Sequence, residues 1–511
     1  MTAKTILRNS REAQSHIEKC YQTERRPEIK MISGPIICLD DCVLYEVGEE
    51  RTGKCLFDIH SLNVDGITHR TATLDNPYIC DVLYDITFRN SVIPGAFFHY
   101  VHFHGSVNFV GCKIGTCSFF KVKADKDVYF NDSTIDSNIY FDQCVFSDSF
   151  SLYNCSVNNA IQPNFSFCEF HGNCDFSYLN VKKDNPNNES LEYYFLIKDC
   201  SFKSDFSLKK ARIDMDLTID GGNVHNLNLS EVHGVNKIKL VSLELDGINM
   251  IDCQNGMQFI KSIVFNNVTL NGDIHIQNYY FGDIEIAYSK ISSGNRFHIC
   301  NSHFDIFKCV SSSIYGRMDL SDCIINESFD LDETGVNGEF ILLGNNCLPR
   351  IKNRYTAMLL KKESQKNANT PDYLKFHSIE MGLLYRELLK RPFKNFFDII
   401  ALTFNKLANN FGTSWSYGIL FVIATSVLCF HLINYWGTNT PFFTYDGANN
   451  YQDVLKNYLN VLNVFAIVNM PKYQQDMDLN IWGIIMLYIA KIIISYGLFQ
   501  TGMAFRKYNR K

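Results

Sequence analysis

In the stretch VYFNDSTIDSNIYFDQCVFSDSFSLYNCSV (128–157) large apolar residues fall at Phe130, Ile135, Phe141, Phe146, Leu152 and Val157, spaced by five and six in alternation. The pattern therefore repeats every eleven residues. Neither the 3.6-residue period of a helix nor the alternation of a single strand produces this over such a distance. Coils that turn one apolar residue inward from each short flat side do produce it, so the spacing predicts a solenoid. Cys144 and Cys155 share the eleven-residue step and fall at equivalent rung positions.

The register is legible from Phe88 through Ile93, Phe98, Phe103, Phe109 and Ile114. It breaks around Asn158–Pro163 and Lys182–Asn188, read as loops ejected from a coil, and resumes at Ile197, Phe202, Leu208, Ile213 and Ile219. Ile325, Leu331, Val336 and Leu342 close the series, so that residues 51–349 hold on the order of a dozen coils of about 22 residues. Residues 1–50, with an amphipathic helix over Thr5–Thr23 and a strand-like ISGPIICLDDCVLYEV, are expected to cap the stack.

After Pro349 the period becomes helical. Tyr355–Glu363 and Asp372–Arg391 predict a hairpin and Pro392–Asn410 a third helix, so 350–410 form a connecting region. Phe411–Trp436 and Ile481–Phe499 are long and apolar enough to cross a membrane, with Trp and Tyr at their ends; buried core helices are the competing reading. Residues 411–511 are therefore expected to be a two-span transmembrane domain. Between the spans, Tyr451–Met470 is amphipathic, which suits a re-entrant pore helix or a helix on the outer surface equally.

Charge sharpens the division. The net charge is -6, yet from Ile351 onward 18 basic residues face 9 acidic ones, a net of +9, leaving 30 basic against 45 acidic before it, a net of -15. An acidic body disfavours nucleic acid as a partner. Arg386, Lys390, Arg391, Lys394 and Lys406 precede the first span, and Arg506, Lys507, Arg510 and Lys511 follow the second, so both flanks are expected on the cytoplasmic side of the membrane. With 40 Phe and only 11 Pro, the body reads as a long aromatic-lined core rather than a disordered chain. The 18 Cys are dispersed and several recur at the coil period, which predicts reduced, packed thiols with few or no disulfides. The polar opening MTAKTILRNSREAQSHIEKC carries no secretory pattern.

Catalytic signatures are missing. GxxxxGK[ST], GxGxxG before a helix, HExxH, GxSxG and paired CxxC do not occur, so neither enzymatic activity nor a cofactor is expected. Cys38 and Cys42, beside Asp40 and Asp41, lack a second pair at zinc-site spacing. In HYVHFH (99–104) the histidines are expected on a solvated strand face, although His102 and His104 could ligate a metal. Lys491, near the middle of the second span, should face a water-filled path, a carboxylate or a neighbouring subunit, or else snorkel to an interface. His431, Asn463 and Asn469 are further polar candidates within the membrane region, and VNMPKY (468–473) does not match a potassium filter.

CVFSD (144–148), CEFHG (168–172) and CSFKS (200–204), each a small residue, a variable one and a central Phe, resemble the pentapeptide-repeat proteins. The junction Phe411, Gly412, Thr413, Ser414 and Trp415 and the ending YGLFQTGMAFRKYNRK (496–511) are similar to the C-terminal region of bacterial pentapeptide-repeat membrane proteins. That resemblance implies a mainly β chain: a right-handed parallel β-helix, then a helical hairpin and two transmembrane helices with a channel-like layout. Two spans cannot enclose a pore, so a channel requires a homo-oligomer. The resulting expectation is a bacterial inner-membrane protein with its solenoid and both termini cytoplasmic. Membrane lipids, further copies of itself and an unknown protein or small-molecule signal at the solenoid would be its partners. Regulated ion flux or a membrane-depolarising defence role would follow, with a non-conducting protein-binding tether as the rival. Soluble pentapeptide-repeat proteins that mimic DNA suggest a third reading, which a membrane anchor makes awkward.

Overall fold

The computed structural model describes residues 80–83, 85–183, 193–253, 257–342, 350–439, 451–464 and 478–509, with five short strands before them, Thr5–Leu7, Ile36–Asp40, Cys42–Leu44, Phe57–Asp58 and Ile67–His69. Met1–Arg350 and Ile351–Lys511 are separate compact units.

The first unit is mainly β, a parallel solenoid of about 11 turns. From Cys80 onward strands pair in parallel with those a coil away, whereas Ile67–His69 runs antiparallel to Cys80–Val82. Ile86 lies opposite Val107, Val107 opposite Val128, and Val128 opposite Phe150. In the clearest coil, four short strands (Val128–Tyr129, Thr134–Ile135, Ile139–Asp142 and Val145–Phe146) make four flat sides before the next coil opens at Phe150–Ser151. Stacking sets equivalent side chains one coil apart, close to the strand spacing of about 4.8 Å. Phe88, Phe109 and Phe130 accordingly stack at ring separations of 4.8 Å, as do Phe119, Phe141 and Phe165 at 4.8 and 4.9 Å, with Phe98 tilted against Phe119 at 4.8 Å.

Two corners of each coil turn through left-handed backbone. One column runs Asn90, Gly111, Asp132, Asn154 and Tyr178, the other Tyr100, Lys121, Gln143, Phe167 and Asp199, all with φ between 49° and 64°. Asn, Asp and Gly suit this conformation, and the remaining residues are held there by the ladders on both sides. At many corners the next residue is small and buried, and its side chain reaches a carbonyl of the coil beneath, while Val101, Val122 and Leu179 follow others as purely apolar residues. Cys112 donates to Phe88 O (3.4 Å), Ser133 to Phe109 O (3.1 Å) and Cys155 to Phe130 O (2.6 Å); Cys144, Cys168 and Cys200 do the same in the other column. Farther along, Ser289, Ser312 and Thr334 occupy equivalent places. Cys, Ser and Thr interchange because each is small and brings one donor. All cysteines among the described residues are free thiols.

Three details differ from the sequence reading. Thr5–Leu7 is a strand paired in parallel with Cys42–Leu44, not the start of a helix; residues 8–35 lie outside the described residues. The break at Asn158–Pro163 is a register shift within the ladder of Ser156–Ala160 rather than an ejected loop, while 184–192 lie outside the described residues. His102 is 9% exposed and not on a solvated face, because Asp81 and Asp125 close over it from the neighbouring coils.

In the second unit, α1 (Arg354–Lys366) and α2 (Thr370–Leu389) form the expected hairpin. Asn353 and Asn369 cap their starts, and a Lys361–Glu380 ion pair (2.5 Å) joins them. Helix α3 (Phe396–Asn409) follows, then α4 (Trp415–Trp436), α5 (Tyr451–Leu462) and α6 (Ile481–Asn509). The first apolar helix starts at Trp415 rather than Phe411, since Asn410, Phe411 and Gly412 turn at φ 48°, 59° and 85° before Ser414 caps the new helix. Helix α5 stops at Leu462, short of Met470, and Asn469 lies outside the described residues.

Candidate functional site between the apolar helices

Helices α4 and α6 are long and apolar enough to cross a membrane, and just 28% and 33% of their apolar windows are buried in this chain. A core helix of a soluble domain would be mostly covered; here Leu420, Ile423, Leu428, Ile489, Ile492 and Phe499 face outward. The two helices meet through glycines. A Cβ on Gly483 would lie 1.9 Å from Gly437 O, one on Gly418 2.1 Å from Thr501 Oγ1, and one on Gly497 2.8 Å from Phe421 and Val422. Such small contacts let apolar helices pack closely where no hydrophobic effect drives them together.

Their ends are tied by polar groups. Asn480 Oδ1 accepts from Gly483 N (2.8 Å), and Asn480 Nδ2 donates to Trp436 O (3.0 Å). At the opposite end Asn409 Nδ2 donates to Gln500 Oε1 (2.7 Å), while Asn409 Oδ1 accepts from Gly412 N (2.7 Å). The Phe-Gly-Thr-Ser-Trp junction and the Gln500–Thr501 pair, far apart in sequence, thus meet in space.

Helix α5 packs against both. Tyr458 OH shares a 2.9 Å hydrogen bond with Ser426 Oγ, at the middle of α4, and its ring meets Phe430 edge-on at 5.7 Å. Val461 is fully buried in a cluster with Phe430, Ile433, Leu487, Ala490 and Ile494. Beyond it, Lys491 Nζ donates to Asn460 O (3.1 Å) and Asn463 O (2.6 Å), and the Lys491 side chain has no exposed surface. The last carbonyls of a helix have no partner within it and carry its negative end, so an ammonium there is doubly favoured. Lys491 is ten residues beyond Ile481, about 15 Å along α6 and half of a 30 Å hydrocarbon layer. Tyr458 therefore meets the middle of α4, while the α5 C-terminus stands about a third of the way along α6. The enclosed Asn460 Nδ2 has no acceptor among the described residues.

Among the other expected residues, His431 is exposed beside Phe430, and Asn463 enters through its backbone carbonyl with its side chain outward. Arg391, Lys394, Lys406 and Arg506 are exposed; Lys507 continues α6, while Arg510 and Lys511 lie outside the described residues. Beside Arg391 and Lys394, Phe393 is 97% and Phe397 83% exposed, while Lys406 lies over the Tyr385 ring in the last turn of α3. Sequence reasoning missed Ser426, Tyr458 and Asn480; glycines within apolar helices, at 418, 483 and 497, were the available signal for the contacts. No family model matches the chain, nor does any curated protein or solved structure.

Proposed function

We propose that this is a membrane-anchored β-solenoid protein whose second unit assembles with further copies of itself into a channel-like or membrane-perturbing assembly, gated by a signal at the solenoid. The observation that carries the reading is the depth of α5, which meets the middle of α4 through Tyr458 and ends at Lys491, about 15 Å inside the start of α6. Backbone that leaves a helix at membrane depth is tolerated where protein buries it or where it lines water. Lys491 satisfies part of that backbone, and the enclosed Asn460 amide calls for an acceptor from water or from another subunit. Exposed Phe393, Phe396 and Phe397, beside Arg391 and Lys394 and with Lys406 in the last turn, suit α3 to the boundary between headgroups and acyl chains, and the basic flank orients the solenoid toward the cytoplasm. Resemblance to bacterial pentapeptide-repeat membrane proteins makes the inner membrane the expected location and depolarising defence one possible use.

One observation favours the tether instead. Lys491 is enclosed within a single chain by backbone carbonyls, so its presence is explained without a pore. Ion flux from liposomes carrying the full chain, against a chain ending at Arg391, separates the two. Flux that requires α4–α6 supports the assembly. A folded, inserted oligomer that conducts nothing supports the tether.

A further inference from the structure

Three neighbouring coils bring Asp81, His102, His104 and Asp125 together on the first unit. Asp81 lies in register opposite His102, which in turn lies opposite Lys123 on the next coil. His104 follows His102 by two residues and so points to the same side, with its backbone N–H on Val82 O (2.8 Å), while Asp125 N bonds Phe103 O (2.9 Å). The two imidazoles stand 3.8 Å apart, centre to centre.

Their nitrogens divide into two sets. His102 Nε2 bonds Asp125 Oδ2 at 2.9 Å, and His104 Nδ1 lies 2.8 Å from the same oxygen. The opposite nitrogens, His102 Nδ1 and His104 Nε2, both turn to Asp81 Oδ1, at 3.5 and 3.6 Å. Those separations exceed an ordinary N–H···O hydrogen bond. They match the edge of a tetrahedron of donors around a zinc-sized ion, about 3.4 Å for bonds near 2.1 Å. One donor atom from each of Asp81, His102 and His104 lies within 4.8 Å of the others.

We infer that Asp81 Oδ1, His102 Nδ1 and His104 Nε2 bind a divalent transition ion of the zinc class, with Asp125 as the carboxylate that orients both imidazoles. A carboxylate on the far nitrogen fixes the tautomer and strengthens the ligand, the usual support of a histidine–metal bond. Lys123 Nζ, 3.3 Å from Asp125 Oδ1, balances one of the two carboxylates. The His104 side chain is 37% exposed, so the ion can enter from that side and keep a fourth position for water or an exogenous ligand. Bound there, it would pin two successive coils of the solenoid together.

The test uses the full chain, purified free of metal in detergent and titrated with Co²⁺ and Zn²⁺. Wild type should take one tight equivalent and show the visible d–d bands of low-coordinate cobalt, without the near-ultraviolet band of thiolate ligation. Asp81→Asn and His104→Ala should each lose the bands while keeping the β circular dichroism of the fold. Asp125→Asn should keep them with affinity weakened by about 10–100-fold. Absence of bands in folded wild type, bands that persist in Asp81→Asn and His104→Ala, or thiolate ligation would each overturn the assignment.

Discussion

Replacing Lys491 with methionine keeps the length and apolar stem of the side chain and removes the ammonium. Two opposing effects follow. The isolated apolar helix gains, because a Lys at its centre costs about 2.5–3.5 kcal/mol on insertion. The docked α5 loses, because Lys491 Nζ makes two hydrogen bonds, to Asn460 O and Asn463 O, each worth about 1.5–3 kcal/mol when one partner is charged. Insertion of α6 should therefore be preserved or improved while docking of α5 weakens by about 3 kcal/mol, the lower end of that sum. At 1.4 kcal/mol per decade the undocked population rises by about two orders of magnitude. Hydrogen exchange of the chain in lipid nanodiscs reads this directly. Backbone amides of Tyr451–Leu462 should exchange about 100-fold faster in Lys491→Met, with the solenoid amides unchanged and Lys491→Arg close to wild type. Unchanged protection of α5 in an inserted Lys491→Met protein would refute the capping role, and a uniform loss across the whole second unit would refute its local character.

Phe141 is 1% exposed and stacked between Phe119 and Phe165; Phe141→Ala should cost about 3–5 kcal/mol in denaturant unfolding of the solenoid. Phe167→Ala, at a corner where the ring is 52% exposed, should stay within about 0.5 kcal/mol, and equal losses would count against the inward ladder. Burial pushes the thiols of Cys155 and Cys323 up to about 12 and that of Cys309 to about 11. Alkylation at pH 8, which needs the thiolate, should spare all three until the chain is denatured, yet modify the exposed Cys253. Cys155→Ser should be tolerated because it keeps a donor for Phe130 O, whereas Cys155→Val leaves that carbonyl only the longer bond from Ser133 N (3.3 Å) and should lower stability by about 0.5–1.5 kcal/mol. Gly483→Ala places a methyl against Gly437 O and should part the ends of α4 and α6, read as a lower melting temperature of the detergent-solubilised chain; an unchanged melt would refute the close approach.

The eleven-residue spacing announced the coils, since a residue turned inward once per flat side must recur with the sides. Phe130, Ile135, Phe141, Phe146, Leu152 and Val157 are all buried, as that period demands. Helices α1–α4 and α6 were likewise legible, their boundaries moving by a few residues where caps such as Asn353, Asn369 and Ser414 intervene. Local order could be read because it depends on neighbours within a few residues along the chain. The corner cysteines were read as packed thiols, but their bonds to carbonyls of the coil beneath were not, since each partner lies 24 to 35 residues away.

Lys491 shows where such reading ends. Its apolar setting marked it as a residue in need of compensation, and its neighbours in sequence do not reveal the partner. The partner is the end of a helix about 30 residues earlier, brought there by folding. His102 likewise alternated as an outward residue should, yet carboxylates on two other coils cover it. Hydrophobic periodicity is a property of each segment and so survives in the one-dimensional record. Charge compensation and donor geometry depend on distances between segments, which come into being when the coils stack and the helices pack.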